Sequence, residues 1–239
     1  MAQNTGNAKN ILVGASPLFV SNLDVTSSSY VENAEPGTTA AGAFVSGQSY
    51  TTTLNAITPA NTFAYRNVGF TNNGLQITYN PTYDSVTVDQ LLDTAKLFKS
   101  AMEVMIATEM SEGTLENTLV IFGQPDDPTN NTAISQDNTI ISTGSGTSKK
   151  DTLGIAAGAL GIAPTERQLV AVGQAPTTSG SKTERVYYAR RVLSVQQSQF
   201  TLARSTATTF PVTFRLLPTA MSGYEGQEYG KIIDRVLVA

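Results

Sequence analysis

The chain contains no histidine, no cysteine and no tryptophan in 239 residues. Histidine is the usual general acid, general base and metal ligand, because its pKa lies near neutrality. Cysteine supplies the thiolate nucleophile and the soft metal ligand. Their joint absence argues against a triad hydrolase, a zinc enzyme and a thiol redox enzyme. It also leaves no disulfide framework, which fits assembly in the cytosol. Charge is scarce as well: 14% of residues are Asp, Glu, Lys or Arg, against about 25% in an average soluble domain. No stretch reaches the roughly 20 apolar residues that a membrane-spanning helix needs. These absences point away from chemistry and toward shape, contact and assembly.

What is present agrees with that direction. Hydrophobic residues make up 40%, enough for a core, and the length suits a single all-β domain spanning 1–239. Thr, Ser, Asn, Gln, Gly and Ala take the place of charge, and such a surface packs against protein without desolvating ions. The net charge of −4 is uneven. Residues 1–120 hold four basic and ten acidic residues, while 121–239 hold eleven and nine. No Lys/Arg cluster of the kind that grips nucleic acid stands out. The pairs Lys149-Lys150 and Arg190-Arg191 read as solvated loop or strand-face charges.

Along the chain, β-type patterning dominates. Residues 11–20 read as a first strand, since Gly14, Ser16 and Pro17 break the run and Lys9 is a weak basic start for a signal peptide. Residues 22–62 are rich in Ser, Thr, Ala and Gly, too long for a structureless loop without a task. The β-capable pieces Ala43–Val45 and Ser49–Leu54 suggest a projecting arm that orders against a neighbouring copy. Asn73-Gly74, between Val68–Phe70 and the alternating Leu75, Ile77 and Tyr79, predicts a hairpin turn. Val88, Leu91, Leu92 and Ala95 at helical spacing, with Thr87 and Gln90 as a capping box, predict a short helix. Lys99–Met110 fits either a helix or one face of a strand. Ser111–Gly123 predicts a helix capped by Ser111, with Leu115, Leu119 and Phe122 on one face and Gly123 as left-handed terminator.

A polar loop follows over about 124–150, with a β-like Thr139–Ser142 inside it. Further strands are predicted at Gln168–Val172, Glu184–Gln196, Gln199–Leu202, Pro211–Leu217 and Ile232–Val238, with loops at Ala175–Lys182 and Pro218–Gly230. No internal repeat is visible.

No motif carries chemistry. Thr143–Lys150 lacks the glycine spacing of a phosphate loop and reads as a flexible turn. Gly154–Gly161 has small residues four apart and reads as close backbone packing. Asp126, Asp127, Asn130, Asn131 and Asp137 match no calcium-loop spacing and read as a polar turn. Asn130-Asn131-Thr132 is a formal glycosylation acceptor, relevant only to a secreted chain. Paired acids such as Asp84 with Asp89, or Glu225 with Glu228, come with no aromatic and arginine pattern that marks a sugar cleft. The expectation is a protein that is no enzyme, with no catalytic, cofactor or metal site and no cofactor.

One resemblance adds to this. Gly74-Leu75-Gln76-Ile77-Thr78-Tyr79, followed by Tyr83-Asp84-Ser85-Val86-Thr87-Val88-Asp89-Gln90-Leu91-Leu92-Asp93, resembles the major tail tube proteins of long-tailed bacteriophages, the siphovirus-type tail tube family. Glu112-Gly113-Thr114-Leu115-Glu116-Asn117-Thr118-Leu119 with Phe122-Gly123, and Phe210-Pro211-Val212-Thr213-Phe214-Arg215-Leu216-Leu217-Pro218, are similar too. The arm at 22–62 and the loop at 124–150 match nothing in that pattern.

The resemblance implies a mainly β, sandwich- or barrel-like fold with one or two short flanking α-helices, and a strand at Lys99–Met110. It implies hexameric rings stacked into a hollow tube through which DNA passes into the host without specific binding. The tube would be assembled in the host cytoplasm and located in the virion tail. Its partners would be further copies of the chain, a tape measure protein and tail terminator and tip proteins, with no membrane. Acidic residues of the 1–120 half are expected to face the channel, and the arm is the candidate clasp between subunits. The alternatives are another self-assembling shell subunit (capsid decoration or pilus-like) and a carbohydrate-binding β-domain, the latter weakened by the missing tryptophan.

Overall fold

The computed structural model describes residues 14, 16–21, 65–90, 93–123, 140–155, 164–176, 182–195, 198–202, 204–205, 207–220 and 223–237. The arm expected at 22–62, the Asp/Asn cluster at 126–137 and most of Gly154–Gly161 lie outside these residues. The described residues form a mainly β fold with one short α-helix.

The main sheet is antiparallel and has eight strands. They are β1 (Leu18–Ser21), β2 (Tyr65–Asn67), β3 (Thr71–Thr87), β4 (Thr94–Met110), β7 (Arg167–Gln174), β8 (Lys182–Ser194), β9 (Phe210–Leu216) and β10 (Gly230–Leu237). A separate hairpin pairs β5 (Ile140–Thr143) with β6 (Lys150–Leu153). The strand order is β2-β1-β7-β8-β9-β4-β3, with β10 also paired to β8. The two ends of that order are β2 and β3, and in sequence only Val68–Phe70 separates them. Three residues span about 10 Å at most, so the sheet must roll until its ends approach each other. Val68 sits in that crossing, buried, and its N–H donates to the Leu18 carbonyl at 3.0 Å.

Alternation decides which side chains the roll encloses. One face contributes Leu18, Val20, Leu169, Ala171, Ala189, Val212, Phe214, Val104 and Ile106 to the larger apolar cluster. The other face contributes Phe19, Val170, Val172, Val186 and Tyr188 to a smaller one closed by Tyr65. Strands β1 and β7 thus bury both faces, which is why Leu18–Val20 and Leu169–Val172 within them read as apolar runs rather than clean alternation.

The helix α1 (Leu115–Ile121) adds Leu119, Val120 and Ile121 to the larger cluster. Its N-cap is Thr114, whose hydroxyl accepts from the Asn117 N–H at 3.2 Å. The expected cap at Ser111 is therefore displaced by one turn, because Ser111 completes the β3–β4 ladder by donating its N–H to Phe70 O. Gly123 ends the helix with φ +63, as its placement predicted.

Three further expectations need correction. The helix expected at Val88–Ala95 does not form: residues 89–90 turn and β4 starts at Thr94. Gln199–Leu202 is irregular, with Phe200 packed on Phe210 at a ring separation of 4.8 Å, so it is no strand. The loop expected over about 124–150 gives way from Ile140 to the β5–β6 hairpin, joined by a 3-10 turn at Gly146–Ser148, and β5 bears out the β-like reading from Ile140 to Ser142. Lys99–Met110 lies within strand β4.

The Arg190-Arg191 pair also departs from its reading as solvated charge. Arg190 is fully buried, its guanidinium 3.7 Å from the Tyr224 ring centre and 5.3 Å from that of Tyr188, with Nε donating to Gln227 O at 3.2 Å. Arg191 holds Glu166 through two bonds of 2.6 and 2.9 Å and donates to Pro218 O. Stacking on two tyrosine rings and the charge-assisted bond to Gln227 O hold the buried guanidinium in place. Both arginines tie the segment after β9 back onto β8.

Strand β10 is placed by two ion pairs that share its register. Asp234 stands opposite Arg185, and Arg235 opposite Glu184. Arg185 grips Asp234 at 2.5 and 2.6 Å, while Arg235 meets Glu184 at 3.2 Å on the other face. A one-residue slip would break both. Gly230 opens the strand with φ +149, where a Cβ would meet Tyr188 O at 2.0 Å.

The Arg185 bonds, chiefly, hold the Asp234 carboxyl below the usual carboxylate range. A lowered folded-state pKa stabilises above the ordinary carboxylate pKa and is lost as pH falls through the lowered value. Asp234→Asn is therefore expected to shift the urea midpoint downward at neutral pH and to converge with the parent protein in acid, as pH falls through the lowered value. Equal differences at both pH values would refute this role for the pair.

Candidate interaction surface

Strands β3 and β4 are each 17 residues long. β9 covers β4 only from Met105 to Met110. Beyond that, Tyr79 to Thr87 and Thr94 to Val104 pair only with each other among the described residues, as a two-stranded ribbon. Such a ribbon is marginal in water by itself.

The sequence builds this ribbon by two devices. Asn73 and Gly74 take positive φ, 60 and 70, as their residue types favour. They do not reverse the chain. The register passes from Asn72↔Glu109 to Leu75↔Thr108, so the two residues form a bulge inside β3, and Thr108 Oγ1 donates to Gly74 O at 2.8 Å. The predicted hairpin turn was thus a bulge, and the reversal comes at residues 88–93, between the ends of β3 and β4. Pro81 is tolerated in mid-strand because β3 lies at the end of the sheet order.

Cross-strand partners share a face. Ile77 pairs Ile106, Tyr79 pairs Val104, Pro81 pairs Met102, Tyr83 pairs Lys99 and Ser85 pairs Leu97. That face is an apolar stripe that begins in the core at Ile106 and runs outward to Tyr83 and Leu97. Tyr79 is 59% exposed, Tyr83 57% and Leu97 63%. The opposite face carries Val86 and Phe98, exposed among Asp84, Lys96 and Glu103. A chain with so little charge thus exposes large apolar groups on both faces of this ribbon, and contiguous exposed apolar area is characteristic of interaction surfaces.

The acidic candidates are distributed along the same element. Asp84, Asp89 and Asp93 lie exposed on its outer part. Nearer the body, Glu103 meets Arg215 at 3.6 Å, Glu109 accepts from Asn72 and Glu112 accepts from the Phe70 N–H at 2.9 Å. Asp84 and Asp89 belong to strand and turn respectively. Glu225 and Glu228 are occupied by their own turn, accepting from Gly223 N–H at 3.1 Å and Gly226 N–H at 2.8 Å. The Gly226 bond, first among its causes, lowers the Glu228 pKa. Among the described residues no three acids converge as a metal site would require.

Sequence reasoning missed the ribbon because it cut it twice, at Asn73-Gly74 and at Val88. The signal that could have found it was the unbroken alternation of Ile77, Tyr79, Pro81 and Tyr83 across a proline. No model of a known protein family matches the chain, and no curated protein matches its sequence.

Proposed function

We propose that this chain is a structural subunit that assembles with identical copies into stacked rings, forming the hollow tail tube of a long-tailed bacteriophage. The observation that carries this reading is the β3–β4 ribbon, which projects from a rolled sheet with its apolar stripe uncovered. A ribbon of one copy that docks on a different surface of the next makes a heterologous contact, and repetition of that contact closes into rings or extends into a filament. Among the described residues the outer edge of β3 has no strand partner, and it offers backbone groups for sheet extension between copies. The resemblance of residues 68–123 and 210–218 to tail tube proteins supplies the tubular form, the virion location and the tape measure, terminator and tip proteins as partners.

Passage of DNA needs a bore that repels phosphate rather than holding it. Asp84, Asp89 and Asp93 are the candidates for that lining, and a tube whose bore is basic would refute their assignment. Negative-stain electron microscopy of the purified protein tests the whole reading. The expected result is hollow tubes of uniform bore. A protein that stays monomeric at every concentration and salt tried, or that forms solid filaments as a pilus-like subunit would, overturns it.

A further inference from the structure

The chain contains a single Asn-Gly step, Asn73-Gly74, and the fold leaves it chemically open. The register passes from Asn72↔Glu109 directly to Leu75↔Thr108, so neither residue has a partner on β4. Within a ladder, hydrogen bonding fixes a backbone nitrogen and keeps its proton engaged. The peptide that joins Asn73 to Gly74 lies outside the ladder. Both residues are exposed. A Cβ added to Gly74 would meet nothing within 4 Å, so the space beside its backbone is open. Asn73 is the only described residue other than glycine with a positive φ, and a following glycine lowers the steric cost of rearrangement.

The other described asparagines are tied or blocked. Asn67 accepts from the Gly69 N–H, and Asn72 donates to Glu109. Asn117 is buried, with its amide donating to two carbonyls. Asn80 precedes Pro81, whose nitrogen carries no proton.

We propose that Asn73-Gly74 is a self-modification site, at which the folded chain converts asparagine to isoaspartate. Asparagine is thermolabile, and water is the only co-reactant required. The Gly74 nitrogen gives up its proton and attacks Cγ of Asn73. A C–N bond forms, the bond from Cγ to the side-chain nitrogen breaks, and ammonia leaves with the proton. The product is a cyclic imide, and no group is oxidised or reduced. Water then opens the ring at either carbonyl. Attack at Cγ restores the main chain and leaves aspartate. Attack at the main-chain carbon leaves the chain running through Cβ and Cγ, which is isoaspartate.

Either product adds a negative charge. Asn73 and Glu109 line one shallow groove of about 220 Å³, so the new carboxylate stands beside a like charge, which destabilises a strand pair. The isoaspartyl form also lengthens β3 by a main-chain carbon at the ribbon root. Both changes loosen the end of β3 that joins the ribbon to the body. This inference concerns the single chain and is independent of the tube reading.

Incubation of the folded protein in warm, mildly alkaline buffer tests it, beside a sample unfolded in guanidinium chloride. Peptide mass spectrometry reads the exchange of NH2 for OH at each asparagine, and methyl transfer by an isoaspartyl methyltransferase reads isoaspartate. Asn73 is expected to convert in the folded protein within a few-fold of its rate in the unfolded chain, and faster as pH rises. Asn72 and Asn80 are expected to stay unchanged in the folded protein. The modified fraction, separated by anion exchange, is expected to unfold at a lower temperature than the parent. Conversion of Asn73 in the unfolded sample alone overturns the site. Aspartate without isoaspartate, or an unchanged unfolding temperature in the modified fraction, overturns the effect assigned to the ribbon root.

Discussion

Excising residues 82–101 and joining Pro81 to Met102 through Asn-Gly is expected to abolish self-association while leaving the body of the protein folded. Pro81 and Met102 are direct cross-strand partners, so a two-residue turn suits their separation. The excised residues are exposed in nearly every case and lie beyond the reach of β9. Their removal therefore takes little from the core, and the change in unfolding free energy should stay within about 1 kcal/mol. The effect on assembly is expected to be complete, because Tyr83, Leu97, Val86 and Phe98 leave with the segment. Sedimentation velocity beside the parent protein measures assembly, and urea unfolding measures the change in stability. Assembly of the shortened chain at the parental concentration would remove the ribbon from the proposed contact. A milder variant, Tyr83→Ser with Leu97→Ser, keeps the ribbon's length and should raise the concentration needed for assembly at least tenfold.

Asn117→Ala is expected to produce the largest loss of stability from a single change, about 3 kcal/mol, or roughly 10 °C in Tm. Asn117 is 1% exposed and sits on the buried side of the helix, yet it is polar. Its side-chain amide donates to Val68 O at 2.9 Å and to Glu112 O at 2.7 Å, and its oxygen accepts from Arg66 Nη1 at 2.6 Å. One side chain thus ties the helix to β2, to the Val68–Phe70 crossing and to the end of β4. Truncation takes a donor from two carbonyls and an acceptor from Arg66 without giving any of them access to water. Asn117→Asp separates the roles, since it keeps the acceptor for Arg66 and loses both donors. Thermal unfolding should rank the parent above Asn117→Asp and both above or level with Asn117→Ala. A loss below about 1 kcal/mol in Asn117→Ala would show that the crossing does not depend on this residue.

These expectations rest on different kinds of legibility. Short-range patterns carried far. Strands β7, β8, β9 and β10 fall within a few residues of their predicted limits, because apolar alternation is a local property. Gly123 was placed correctly because a left-handed residue after a short amphipathic run has few other uses. Asn73-Gly74 was half legible: positive φ follows from the residue types, but whether the chain reverses there depends on what lies opposite, and Thr108 and Glu109 were opposite. The spacing of Val88, Leu91, Leu92 and Ala95 suggested a helix, but the pairing of β3 with β4 overrode that preference and made the segment a reversal followed by a strand.

Charge shows the same division. Arg190 beside Arg191 resembles any basic pair on a strand. Only the folded chain brings Tyr224, Tyr188 and Gln227 around Arg190, and Glu166 and Pro218 around Arg191. Asn117 could not be singled out either, since its three partners lie five to fifty-one positions away.

The residue content alone determined that this is a β-rich chain, without histidine or cysteine chemistry, in which neutral polar residues replace charge. Those properties sum over residues and need no knowledge of which ones meet. The tertiary structure decided that the sheet rolls, that β8 divides its partners between β9 and β10, and that half of the β3–β4 pair has, among the described residues, no strand but its own partner beside it and an exposed apolar face. Such features depend on pairings between distant strands, and periodicity within a strand says which side is apolar but not what, if anything, covers it.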